Sequence, residues 1–158
     1  MLNATAAAAR TAPKPAKQLL QIRSWLEAIP YWVLAVPLRF GVAWIFWNSA
    51  QVKLINWDRT LLLFSEEYQV PVLPPELAAN LALAIELVAP VLLVLGFLTR
   101  PIVLVLLGMT ATIQIFVYPE AWPTHLQWTA MMLVLLSRGA GMFSLDHLAW
   151  RRLRSTLG

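Results

Sequence analysis

Residues 38–54 read LRFGVAWIFWNSAQVKL, a run of membrane-grade hydrocarbon interrupted by Arg39 and closed by Lys53. At 100° per residue, positions 39, 43, 46, 50 and 53 fall within about 40° of one line on a helix. Arg39, Ala43, Phe46, Ala50 and Lys53 therefore form a single stripe. Its two alanines let a neighbouring helix approach closely. Pro37 falls in the first turns, where a kink is tolerable in a membrane helix. A charge at membrane depth costs roughly 2.5–3.5 kcal/mol even on a lenient scale. The stripe must then face protein, and its arginine needs a partner.

The rest of the chain fits that reading. Of 158 residues, 59% are hydrophobic and 13% charged, with a mean hydropathy of +0.66. A soluble domain is nearer 45–50% apolar and about 25% charged. One small core cannot hide the excess, so the class is an integral membrane protein. Four segments approach the roughly 20 residues that a bilayer requires, at about 31–52, 77–98, 101–117 and 124–138. Tight connections between them predict an antiparallel four-helix transmembrane bundle over 31–142, all α and one domain. Residues 1–17, Ala-rich with two prolines, read as a flexible cytoplasmic tail. Residues 18–30 read as an amphipathic helix in the membrane interface, and 143–158 as a basic amphipathic cytoplasmic tail. The segment NWDRTLLLFSEEYQ, 56–69, reads as a short surface helix.

Charge sets the expected orientation. Arg10, Lys14, Lys17, Arg23, Arg100, Arg138, Arg151, Arg152 and Arg154 fall on one side, against Lys53 and Arg59 on the other. The positive-inside rule then places both termini in the cytoplasm. The same rule accounts for the net charge of +4, and no nucleic-acid motif is present. The chain has no cysteine, so it can form neither a disulfide nor a thiolate metal site.

Glu86 is the acidic residue deepest in another expected span. Arg39 sits roughly 12 Å and Glu86 roughly 18 Å from the cytoplasmic end at 1.5 Å per residue. A long arginine side chain bridges that difference, so Arg39 and Glu86 are expected to form a buried ion pair. Such a pair either fixes which helices are neighbours or lines a substrate or proton path. A second polar group gathers toward the outer face: Asn48, Gln51 and Lys53 at the end of the first span, Gln114 and Tyr118 on the third, and His125 and Trp128 on the fourth. These residues are a candidate cleft for a quinone head group or another small polar-headed ligand. Interhelical hydrogen bonding alone is the other reading. His125 with Met131 and Met132 makes a poor copper site, since adjacent methionines point to different faces, and no metal is expected.

The Arg39, Phe46, Lys53 spacing resembles the first span of the DoxX family of small bacterial four-span membrane proteins, with Ala43 and Ala50 where glycine is usual. YQVPVLPPELAANLALAIELVAPVLLVLGFLTRP, 68–101, is similar to the family's second-span block, including Glu86, Gly96 and Thr99-Arg100, although Pro90 stands where glycine is commoner. RGAGMFSLDHL, 138–148, resembles its closing signature. The resemblance covers about residues 31–150. It implies an inner-membrane bundle and, for some members, sulfur oxidation or oxidative-stress chemistry with quinone as acceptor. Three functions stay open: an accessory subunit supporting redox or stress-related chemistry, a non-catalytic anchor recruiting a soluble or membrane partner protein, and a small-solute transporter. The chain is not expected to be an enzyme by itself, though it could be a subunit of a quinone-linked oxidoreductase. No cofactor is intrinsic to the chain, and any electron carrier would be a ligand such as quinone or would belong to a partner.

Overall fold

The computed structural model describes residues 14–68 and 70–157, which are mostly helical with no strand among them. Helix α1 is Lys14–Glu27, α2 is Trp32–Ile55 and α3 is Trp57–Leu63, the last continued by a wider π-helical turn, Phe64–Tyr68. Helix α4 is Pro75–Leu95, and α5 is Thr99–Thr112 with a second π turn, Ile113–Val117. Helix α6 is Trp122–Arg138 and α7 is Leu145–Leu157. The tail expected over 1–17 lies outside the described residues up to 13. From Lys14 the chain is already helical, because Pro15 occupies a first-turn position where its missing N–H costs nothing.

Three helices are long and apolar enough to cross a membrane: Trp32–Ile55, Pro75–Leu95 and Thr99–Val117. Helix α6, at 17 residues, is shorter. About a third of the most apolar stretch of α2 and of α4, and 17% of that of α5, is buried inside the molecule. The remaining faces present side chains such as Phe40, Trp44, Val88 and Leu104, which suits contact with lipid rather than water.

Four helices share one core. Val42, Ala43 and Phe46 of α2 meet Ala89 and Leu93 of α4, Val103 and Leu106 of α5, and Met132 and Leu135 of α6. The closest packing is between α2 and α4. Both helices bury small residues, Ala35, Ala43 and Ala50 on one and Ala78, Ala79, Ala82 and Ala89 on the other, and Ala43 and Ala89 belong to the shared core. Without a hydrophobic drive between helices in lipid, such close backbone approach supplies the attraction. A second cluster seats Phe64 on Ala78, Ala79 and Ala82, so the segment expected at the surface packs Thr60 and Phe64 inward.

One end of the molecule is held by polar contacts to backbone. Helix α4 stops at Gly96, whose φ of +63° is left-handed, with Phe97 N–H returning to Leu92 C=O at 2.9 Å. A Cβ on Gly96 would stand 2.5 Å from Ser144 Cβ and 3.1 Å from Arg39 Cζ, so only glycine fits between them. Asp146 accepts from Leu98 N–H at 2.8 Å and Thr99 N–H at 2.9 Å, capping the start of α5 from a distant part of the chain. Its own N–H donates to Gly96 C=O at 2.9 Å. Arg100 Nε donates to Leu136 C=O at 3.1 Å and Nη2 to Ser137 C=O at 3.2 Å, satisfying carbonyls that the end of α6 leaves open.

Candidate functional site

Arg39 and Glu86 do not meet. The Arg39 guanidinium is buried and donates to four carbonyls: Leu93 at 2.8 Å and Val94 in the last turn of α4, and Ala140 at 3.0 Å and Phe143 at 2.6 Å after α6. The end of a helix offers unpaired C=O groups and the negative pole of its dipole. That is the partner the arginine finds. Leu93 lies seven residues beyond Glu86, roughly 10 Å along the helix, so reaching these carbonyls carries the guanidinium away from the carboxylate. Comparing charged partners alone missed this, because a backbone acceptor leaves no mark in residue identity.

Glu86 pairs instead with Lys53, at the far end of the same stripe. The Lys53 ammonium lies 2.9 Å from Glu86 Oε1, as donor, and 2.8 Å from Oε2. Ser49, one turn before Lys53, donates to Oε1 at 3.0 Å and accepts from Lys53 Nζ at 3.0 Å. Glu86 is 1% exposed, and its Oε2 accepts no hydrogen bond of good geometry. The result is a closed triangle of Ser49, Lys53 and Glu86 with one oxygen left short of a donor. Both partners of a buried ion pair must be present, since removing one leaves an uncompensated charge.

This triangle stands on the wall of a cavity of about 410 Å³. Helix α2 gives the cavity Phe46, Ser49 and Lys53; α4 gives Ala82 and Glu86; α5 and its π turn give Met109 and Ile113. Phe64 and Tyr68, from the segment between α2 and α4, cover it together with Tyr118. His125 and Trp128 of α6 complete the wall. The rings form two groups in the wall. His125 meets Trp128 at 5.0 Å, Phe64 meets Tyr68 at 5.0 Å, and Tyr68 meets Tyr118 at 5.6 Å between centroids. The two tyrosine hydroxyls lie 2.9 Å apart and join the two connecting segments. Burial, and after it the hydrogen bond with Tyr118, raises the Tyr68 phenol above its ordinary value and keeps it neutral.

Of the seven residues expected to form a cleft, Lys53, Tyr118, His125 and Trp128 line this cavity. Gln114 stands behind it, its Oε1 2.7 Å from His125 Nδ1, and so orients the imidazole from outside. Asn48 faces a neighbouring hollow that shares Lys53, Tyr68 and Trp128, and Gln51 lies outside the cavity. Sequence reasoning missed Ser49, Phe64 and Tyr68. Ser49 was legible, because it sits one helical turn before Lys53 on the same face. Phe64 and Tyr68 were not, since nothing in an acidic connecting segment announces that it folds back over the helices.

The arrangement is an apolar, aromatic-walled chamber with one concentrated charge pair and a few hydroxyls at its edge. Chambers of this size and character take small ligands with an apolar body and a polar head. Its residues match a known family pattern. A protein of Haemophilus influenzae (strain Rd), described as "Uncharacterized protein", is 27% identical over 136 residues, spanning 78% of this chain and 87% of the other. No solved structure matches the chain. The DoxX family model matches residues 34–119, from the first turn of α2 through the second π turn, and so takes in Arg39, Ser49, Lys53, Glu86 and Tyr118. More than half of the chain lies within that match, and the chain belongs to the DoxX family.

Proposed function

We propose that this protein crosses a bacterial inner membrane four times as an antiparallel bundle with both termini cytoplasmic. In its chamber it would hold an amphipathic, polar-headed ligand of the quinone class, as an accessory subunit of redox chemistry. The membrane reading rests on the three long apolar helices and their exposed hydrocarbon faces. The fourth crossing is supported by α6 contributing Met132 and Leu135 to the shared core, with neighbouring chain able to cover its shorter length. The antiparallel order is supported by Arg39, which ties the early part of α2 to the end of α4 and the chain after α6. Lys and Arg cluster at that same end.

The observation that carries the ligand reading is the Ser49–Lys53–Glu86 triangle on the wall of an otherwise apolar chamber. Lys53 is the natural donor to a ligand carbonyl or phenolate oxygen, and Glu86 is the natural acceptor for a ligand O–H. A head group that is a quinone in one state and a hydroquinone in the other uses both. The chain has no thiol, so electrons would pass to such a ligand from a partner.

The test is thermal melting in detergent with a short-tailed quinone, against an alkane of the same tail length. The reading expects saturable stabilisation by the quinone alone, reduced in Ser49→Ala, which leaves the ion pair intact. Equal shifts from both probes would refute it. A stable co-purifying protein whose retention ignores cavity substitutions would favour an anchor instead.

A further inference from the structure

A second cavity, of about 710 Å³, lies at the end of the molecule opposite the chamber, where α5 begins, α6 ends and α7 folds across. Its polar wall holds Arg100 and Arg138, and its apolar wall holds Trp150 and Leu153 of α7. Neither arginine has an acidic partner among the described residues. Arg100 is held toward Leu136 and Ser137 carbonyls, and Arg138 lies 5.5 Å from the Tyr31 ring centroid. Asp146, the acid on this wall, has both carboxylate oxygens engaged by Leu98 and Thr99 N–H. Thr99 Oγ1, on the same wall, is fully buried without a hydrogen-bond partner. The site thus offers two guanidiniums against the single carboxylate of Asp146, a net positive charge, with a buried hydroxyl that lacks a partner and beside them an indole and a leucine more than half exposed.

We propose that this cleft binds an anionic glycerophospholipid. The phosphate sits between Arg100 and Arg138, and the upper acyl chain lies along Trp150 and Leu153. Charge complementarity and position select that occupant. Guanidiniums recognise phosphate oxygens through parallel N–H donors. A basic pocket between helices at the cytoplasmic membrane edge is where an anionic head group resides. An amphipathic helix laid there buries its apolar face at the headgroup boundary. A free phosphate would leave Trp150 and Leu153 uncovered, and a zwitterionic lipid brings its own ammonium beside the two arginines.

The experiment uses the full chain in detergent, melted with added phosphatidylglycerol, phosphatidylcholine or inorganic phosphate. Phosphatidylglycerol should raise Tm saturably, by about 4 °C or more near saturation, with smaller shifts from the other two. Affinity for it should fall about tenfold in Arg100→Gln/Arg138→Gln, and less in Arg151→Gln/Arg152→Gln, which probes general attraction to the tail helix. Arg100 also caps α6, so Arg138→Gln alone is the second variant; its side chain makes no hydrogen bond that folding needs. Equal shifts from phosphatidylglycerol and phosphatidylcholine would overturn the proposal. So would an equal shift from inorganic phosphate, or undiminished lipid affinity in both Arg138 variants.

Discussion

Arg39 and Lys53 stand fourteen residues apart on one helix face, and each has a different kind of partner. Arg39 spends its planar fork on carbonyls of two segments, a geometry that a lysine cannot copy with a point charge. Arg39→Ala should therefore cost about 2–4 kcal/mol, and Arg39→Lys should recover only part of it, both read from detergent-unfolding midpoints. Because Arg39 and Glu86 belong to separate networks, losses from Arg39→Ala and Glu86→Gln should add, whereas Lys53→Met and Glu86→Gln should be less than additive. Gly96→Ala should cost about 1–3 kcal/mol, since it forces a Cβ into Ser144 at a left-handed φ. The Tyr68 phenol gives a pH signature. Its folded value is raised, so stability present below the unfolded value near 10 is lost as pH climbs beyond it. Tyr68→Phe should flatten that alkaline decline in Tm. The stripe itself was legible in the sequence: Arg39, Ala43, Phe46 and Ala50 are all buried, as one face demands. The partners were only half legible, because several helix-end carbonyls together can satisfy a buried arginine and leave no mark in residue identity.

At the scale of elements, proline and glycine mark where a helix begins and ends. Pro74-Pro75 begins α4 and Gly96 ends it, each at a position its backbone preference dictates. What local pattern could not reveal is how elements reach across the fold. Within the SLDHL stretch Ser144 serves its own helix, accepting from His147 N–H at 3.2 Å. Its aspartate, however, caps a different helix, α5, from 47 residues away in sequence. Asp146→Ala should loosen α7 from that corner, costing about 1 kcal/mol. Limited proteolysis should then cut after Gly139 sooner, while the helices of the core stay protected. The segment carrying Phe64 and Tyr68 was likewise read as surface, because its acidic residues face outward while its aromatic side covers the chamber.

For the whole molecule, composition was enough to separate membrane from water, and charge asymmetry was enough to propose a topology. The absence of cysteine makes that topology simple to test with single introduced cysteines. Ser24→Cys and Ser155→Cys should react with an impermeant reagent from one side, and Ser65→Cys from the other. The proposed function depends on the chamber, whose charge pair gives an apolar cavity its chemically distinctive feature. The most direct measurement is the dissociation constant of a short-tailed quinone for the wild type and for Lys53→Met/Glu86→Gln. That double change removes both charges together and leaves none unpaired in the interior. The account predicts binding weakened at least about tenfold, or about 1.4 kcal/mol, with folding retained. Equal affinity in the two proteins would contradict it.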